Sequence, residues 1–186
     1  MSLEYKQLKE RIEIESQLYI KRGKLNLLKA RIMRTEEYFI VQFLRCLRKI
    51  EYYDKRNGLL NRIKVKWNYR KKNKLGLILG FYIAPHTVGT NVYIAHAGSI
   101  LINGNSKVGD NCIFHGENCI GNDSKELSKA PVIGSGVDIG VGAKIIGDIY
   151  IADGIFIGAN AVVTKSFLEP GITIAGVPAK KISNSI

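Results

Sequence analysis

Only three histidines occur in the 186 residues, His86, His96 and His115, so chemistry that needs an imidazole has few places to sit. An imidazole with a pKa near ~6.5 can take a proton from a hydroxyl as that oxygen attacks an acyl carbonyl, the transfer that O-acyl chemistry needs near neutral pH. His86 follows Pro85 and reads as structural. His96 lies in Tyr93-Ile94-Ala95-His96-Ala97-Gly98, two residues past an aliphatic position, and His115 opens His115-Gly116-Glu117. A base is useful only when something orients it. Glu117, Asp110 or an acid from another subunit could accept from its second ring nitrogen, and the sequence leaves the three open.

What would bring these residues together is a repeat. From Ile133 an aliphatic residue returns at every sixth position, as Ile139, Ile145, Ile151, Ile157 and Val163, with Val137, Ala143, Ile149, Ile155 and Ala161 as second inward candidates. A helix repeats at about 3.6 residues and a strand at 2, so this period marks the hexapeptide repeat of a parallel β-helix. Three hexads close one triangular coil. The register extends backwards through Ile120, Phe114, Val108 and Ile102 and, after a two-residue slip, through Ile100, Ile94 and Val88. Three hexads and the slip carry Ile94 to Phe114. His115 and Gly116 therefore belong one coil beyond Ala95 and His96, about 4.8 Å along the axis.

Between Ile120 and Ile133 lie thirteen residues where six suffice, so about seven residues of the loop 121–132 should protrude. From Ile83 to Phe167 there is room for about four coils, whose ends need covering. Residues 1–80 hold 21 Lys/Arg against 8 Asp/Glu and 4 Gly, whereas 81–186 hold 7 against 8 and 15 Gly. That break divides the chain into a basic α-helical segment 1–80 docked on the solenoid, a β-helix over 81–168 and a C-terminal segment 169–186. In the first, Leu8, Ile12, Ile14 and Leu18, then Leu25, Leu27, Leu28 and Ile32, suggest amphipathic helices broken near Gly23. A stronger helix follows from Thr35 to Tyr53, and Arg56-Asn57-Gly58 reads as a turn.

The basic excess admits solvated helix faces, an anionic membrane surface or polysaccharide, and nucleic acid. Solvated helix faces are the leading reading, since helix faces normally look like this, and aromatics among the cations of Lys64-Val65-Lys66-Trp67-Asn68-Tyr69-Arg70-Lys71-Lys72 support an anionic membrane surface or polysaccharide as the next. No recognised nucleic-acid motif accompanies the charge, so no nucleic-acid partner is expected. The longest apolar run, Leu75 to Ala84, is too short to span a bilayer. No signal peptide is evident, and Cys46, Cys112 and Cys119 lack metal or disulfide spacing, which points to a reduced cytoplasm, with the inner membrane face as a docking place.

Three segments carry a family resemblance. Ile174-Ala175-Gly176-Val177-Pro178-Ala179-Lys180 is similar to the closing segment of the hexapeptide-repeat acetyltransferases of the serine-acetyltransferase-like group. Ile139-Gly140-Val141-Gly142-Ala143-Lys144-Ile145-Ile146-Gly147 and Ile157-Gly158-Ala159-Asn160-Ala161-Val162-Val163 resemble that family's acetyl-CoA coils. The resemblance covers roughly residues 40–183. It implies a mainly β fold, a left-handed parallel β-helix with an α-helical N-terminal segment, assembled as a homotrimer with its site in the groove between neighbours. It also implies acetyl-CoA as co-substrate, no metal, and His96 as general base in a segment like the family's Asp-His-Ala/Gly. His115 and Glu117 stand beside it as further catalytic candidates. Backbone at Gly142, Ala143, Gly158 and Ala159 would line the thioester arm, and Thr164, Lys165, Lys180 and Lys181 are candidates near the nucleotide phosphates, lysine serving there as a point charge.

The departures shape the expected acceptor. Serine-specific members carry Asp-Ile-His-Pro in the coil before the catalytic His and Arg-His-Pro at the end of the protruding loop; here those stretches read Tyr82-Ile83-Ala84-Pro85 and Lys129-Ala130-Pro131. Losing partners for an ammonium and a carboxylate removes discrimination. The resemblance thus narrows to the O-acetyltransferases of capsule, O-antigen and exopolysaccharide synthesis, with a glycan hydroxyl as acceptor. Serine O-acetyltransferase is the alternative, and a non-catalytic solenoid scaffold a third. A zinc hydratase of the γ-carbonic-anhydrase kind needs three imidazoles on one metal, and the third position of that pattern holds Ile120.

Overall fold

Four helices form the first of the chain's two units, Met1–Gly80, in the computed structural model, which describes residues 3–21, 23–123 and 128–184. They are α1 (Leu3–Gln17), α2 (Lys24–Met33), α3 (Glu36–Asp54) and α4 (Leu59–Leu79). Helix α3 starts cleanly because the Thr35 hydroxyl accepts the Tyr38 N–H at 3.4 Å and Glu36 and Glu37 sit at the positive end of its dipole. Its Ile40, Val41, Phe43, Leu44, Leu47 and Ile50 are at most 2% exposed. The expected α1 and α2 faces are less covered: Leu8 is buried, while Ile14, Leu18, Leu25, Leu28 and Ile32 are exposed.

Arg48 lies inside this unit. Its Nε donates to both oxygens of Glu15 on α1 at 3.0 and 3.1 Å, and its Nη1 to both oxygens of Glu51, one turn along α3, at 3.2 and 3.1 Å. Burial works against the cation, but Glu51 and Glu15 outweigh it and hold the guanidinium above its ordinary range.

The second unit, Phe81–Ile186, is a parallel β-helix. Its first face stacks β1 (Phe81–Ile83), β3 (Ile100–Ile102), β6 (Asn118–Gly121), β9 (Lys144–Ile146) and β12 (Val162–Val163). The second stacks β4 (Lys107–Val108), β7 (Val132–Ile133) and β10 (Tyr150–Ile151), extended at its ends by the bridges Val88–Val108 and Ile151–Phe167. The third stacks β2 (Tyr93–Ile94), β5 (Ile113–Phe114), β8 (Asp138–Ile139), β11 (Phe156–Ile157) and β13 (Ile172–Ala175), with β14 (Lys180–Asn184) antiparallel beside β13.

The rungs obey the hexads. Ile133 pairs with Ile151, Ile139 with Ile157 and Ile145 with Val163, each three hexads apart. The slip appears where Ile94 pairs with Phe114, and the insertion where Val108 pairs with Ile133 and Ile120 with Ile145. Residues 124–127 of the protruding loop lie outside the described residues. Each face has five layers rather than four, because Ile83 and Phe167 at the ends of the expected span are themselves rungs of the first and second faces, and Ile172 and Ile174 add the fifth rung of the third. Residues 172–175 are therefore part of the β-helix itself. Ile94, Ile100, Ile102, Phe114, Ile139, Ile145 and Ile151, all 0% exposed, fill its interior.

Candidate active site

Coil stacking gathers most of the singled-out residues at one edge of the prism, the corner where the third face turns into the first. Extending the third face's register by two residues aligns His96, Gly116, Val141, Ala159 and Gly176, one per coil. The neighbouring line is Ala95, His115, Gly140, Gly158 and Ala175. His96 and His115 thus lie on successive coils of one corner, both exposed.

The candidate acids are otherwise engaged. Glu117 Oε1 accepts the Ser99 N–H at 3.2 Å and Asp110 Oδ1 accepts the Thr90 N–H, so both carboxylates tie one coil's corner to the next. The acid that meets His115 is Asp138, on β8 of the following coil: His115 Nε2 lies 2.9 Å from its Oδ1, with the ring 44% exposed. Sequence reading missed Asp138, although the register contained the signal. It directly precedes the inward Ile139 just as His115 directly follows the inward Phe114, and those two residues pair.

Asn118 was also missed. At 1% exposure its Oδ1 accepts the Gly116 N–H at 3.1 Å and its Nδ2 donates to the Gly140 carbonyl at 2.8 Å, clamping the corner on which His115 stands. Glu117 beside it has a positive φ of 55°.

The glycine-rich coils serve the stacking first. A Cβ on Gly140 would come within 2.6 Å of the Ile157 carbonyl, so close coil approach demands glycine there, and Gly142 has a positive φ of 75° that side chains rarely adopt. The N–H groups of Gly142, Ala143 and Gly158 are consumed by Gly116, Gly140 and Ile174 carbonyls. Among the described residues, the main-chain N–H groups of Val141 and Ala159 carry no hydrogen bond. They occupy equivalent positions on adjacent coils and are what this edge offers to a ligand's carbonyls.

The lysines divide. Lys180 pairs in register with Ala175, at the end of the same edge, whereas Lys181 Nζ is held by Glu169 at 2.7 and 2.8 Å. Thr164 and Lys165 follow β12 at a different corner, where Lys165 Nζ stands 5.4 Å from the Phe167 ring centre. Among the described residues, no cluster of three or more His, Cys, Asp or Glu is placed to hold a metal ion.

No protein-family profile matches the chain. Curated relatives do: the serine acetyltransferase of Mycobacterium tuberculosis is 38% identical over 111 residues, covering 59% of this chain and 48% of that protein. The serine acetyltransferase of Helicobacter pylori strain J99 is 36% identical over 108 residues, covering 57% and 63%. Among solved structures, the Neisseria gonorrhoeae serine acetyltransferase superposes with a TM-score of 0.69 at 25% identity, over 97% of this chain and 67% of that one. The fold is that of the serine acetyltransferases. A Brucella abortus strain S19 serine acetyltransferase in complex with coenzyme A gives a TM-score of 0.72 at 22% identity, over 96% of this chain and 68% of that one. The shared serine acetyltransferase architecture is a helical N-terminal segment followed by a left-handed β-helix. The chain spans 48% and 63% of the length of the two curated serine acetyltransferases.

Proposed function

We propose that this chain is an acetyl-CoA-dependent O-acetyltransferase, with serine as the acceptor that the comparisons favour over the sugar expected from sequence. The observation that carries the reading is the single edge that holds His96, His115 and the unbonded Val141 and Ala159 N–H groups, on a fold shared with serine acetyltransferases. Those two N–H donors, one coil and about 4.8 Å apart, suit the two amide carbonyls of an extended pantetheine arm. Acetyl-CoA supplies the activated acyl group. His96 removes the proton from the acceptor hydroxyl as its oxygen attacks the thioester carbonyl, then returns that proton to the departing CoA thiolate. Lys180, at the end of the edge, is the cation best placed for a phosphate.

The protein works as a trimer in this reading. Tyr82, Leu101, Val132, Tyr150 and Phe156, on outward strand positions, are 41–71% exposed, an apolar exterior that a neighbouring prism would cover. No helix among the described residues is long and apolar enough to cross a membrane, and the three free cysteines suit a cytoplasmic setting.

One observation favours a sugar as second reading. At the positions that resemble the amino-acid-holding Asp and His of serine enzymes stand Tyr82, 71% exposed, and the small apolar Ala130, 7% exposed. Thiol release from acetyl-CoA, measured with L-serine and with a panel of methyl glycosides, tests both. Release with L-serine supports the first reading, and release with glycosides alone supports the second. Absence of release with every acceptor, together with no binding of CoA, overturns the enzyme reading in favour of a scaffold.

A further inference from the structure

We propose that Asp138 is a positioning residue that fixes His115 as a hydrogen-bond acceptor, so that the site selects acceptors carrying a second N–H or O–H donor beside the reacting hydroxyl. The inference rests on the O-acetyltransferase reading and deepens its specificity.

The backbone of His115 is pinned first. Its N–H donates to the Ile139 carbonyl at 3.1 Å, and Asn118 clamps the next residue to the following coil. The side chain is then set by Asp138, whose Oδ1 lies 2.9 Å from Nε2. A carboxylate only accepts, so in the neutral ring Nε2 carries the hydrogen and Nδ1 presents a lone pair. Among the described residues nothing else bonds the ring, and 44% of the side chain faces solvent.

Position gives that lone pair its use. His115 stands one coil beyond His96 in the direction of Val141 and Ala159, so an acceptor whose hydroxyl meets both His96 and a thioester held along this edge lies beside the His115 ring. An acceptor at Nδ1 pairs with a donor on the carbon next to the reacting one, such as the ammonium of serine or a vicinal hydroxyl of a sugar. It offers nothing to a monofunctional alcohol. This would supply part of the substrate grip that Tyr82 and Ala130 do not. The competing role, a surface pair that only staples two coils, predicts little effect of any kind.

Two measurements on the full chain test the inference. In protein labelled with ¹⁵N-histidine, the ring nitrogens of His115 should report the Nε2–H tautomer and shift toward a mixture in Asp138→Ala, a result independent of activity. In kinetics, Asp138→Ala and His115→Phe should raise KM for the acceptor about tenfold, the usual worth of one hydrogen bond to a charged or polar group, with KM for acetyl-CoA unchanged. Asp138→Asn, which keeps an oxygen acceptor, should recover part of the loss. The penalty should vanish when L-serine is replaced by 3-hydroxypropanoate, or a turned-over glycoside by its vicinal deoxy analogue. An Nδ1–H tautomer in the unmodified protein, or equal penalties on both members of an acceptor pair, overturns the proposal. Failure of the unmodified protein with every acceptor overturns the O-acetyltransferase reading and this inference with it, whereas normal turnover with unchanged KM in both variants overturns this inference alone.

Discussion

Replacing Asn118 by alanine should unfold the β-helix more easily than any other single polar truncation at the His96–His115 corner. The side chain is 1% exposed and makes two hydrogen bonds, 3.1 Å from the Gly116 N–H and 2.8 Å to the Gly140 carbonyl. Alanine strands the buried Gly116 N–H, at about 1–3 kcal/mol, and takes one of two donors from the Gly140 carbonyl, which keeps the Ala143 N–H at 3.2 Å. The two losses together come to about 2–4 kcal/mol. For a chain of this size that lowers the melting temperature by about 5–12 °C. Scanning calorimetry and urea unfolding followed by circular dichroism would read it. The control is Asn122→Ala: Asn122 accepts from Asn103 Nδ2 at 2.9 Å in a half-buried place, so its loss should cost less than about 1 kcal/mol. Equal effects of the two substitutions, or a loss below about 1 kcal/mol for Asn118→Ala, would refute the clamp. Since the corner also carries His115, the variant should lose acceptor turnover at temperatures where it remains folded.

His96→Ala should reduce acetyl transfer by about 10²- to 10⁴-fold with CoA binding intact by calorimetry, the range for removing a positioned proton acceptor; undiminished turnover would remove His96 from the mechanism. Arg48→Met leaves the carboxylates of Glu15 and Glu51 with only the more distant Arg11, 3.5 and 3.9 Å away, and should cost the helical unit about 3–5 kcal/mol in urea unfolding. Burial pushes the Cys112 thiol from 9.0 up to about 11. A folded value above the unfolded one means stability that is complete below about pH 9 and lost as the pH rises toward about 11. That loss of about 2–3 kcal/mol should be absent in Cys112→Ala, and native Cys112 should resist thiol reagents near neutral pH.

The β-helix was legible because its period is written along the chain. A six-residue recurrence of Ile and Val fits neither helix nor ordinary strand, and counting through the slip and the insertion gives each residue an address on a coil. Those addresses alone put His96 and His115 on neighbouring coils. They stopped short of Ile172, where the hexads lose their regular aliphatic spacing, and so missed the last rung of the third face. The helical unit was less legible. Helix α3 announces itself through Thr35, Glu36 and its apolar stripe, but α4 carries cations on nearly every side, which blurs the period that would bound it. The Glu15–Arg48 pair joins two helices that no local pattern relates.

An address is not yet a partner. Asp110, Glu117 and Asp138 all project from this solenoid, and their types alone cannot say which one meets an imidazole. The corner geometry gives the first two to backbone N–H groups and leaves the third for His115. The same holds for the glycine-rich coils. Sequence marked Gly142, Ala143, Gly158 and Ala159, yet main-chain hydrogen bonds use the N–H groups of the first three and spare those of Ala159 and of Val141, which the sequence did not mark. Periodicity determines where along a coil each residue falls, because side chains alternate and turns recur at fixed steps. Which donor finds which acceptor is decided only when the coils close on one another, since each hydrogen bond across them joins residues about fifteen or more positions apart.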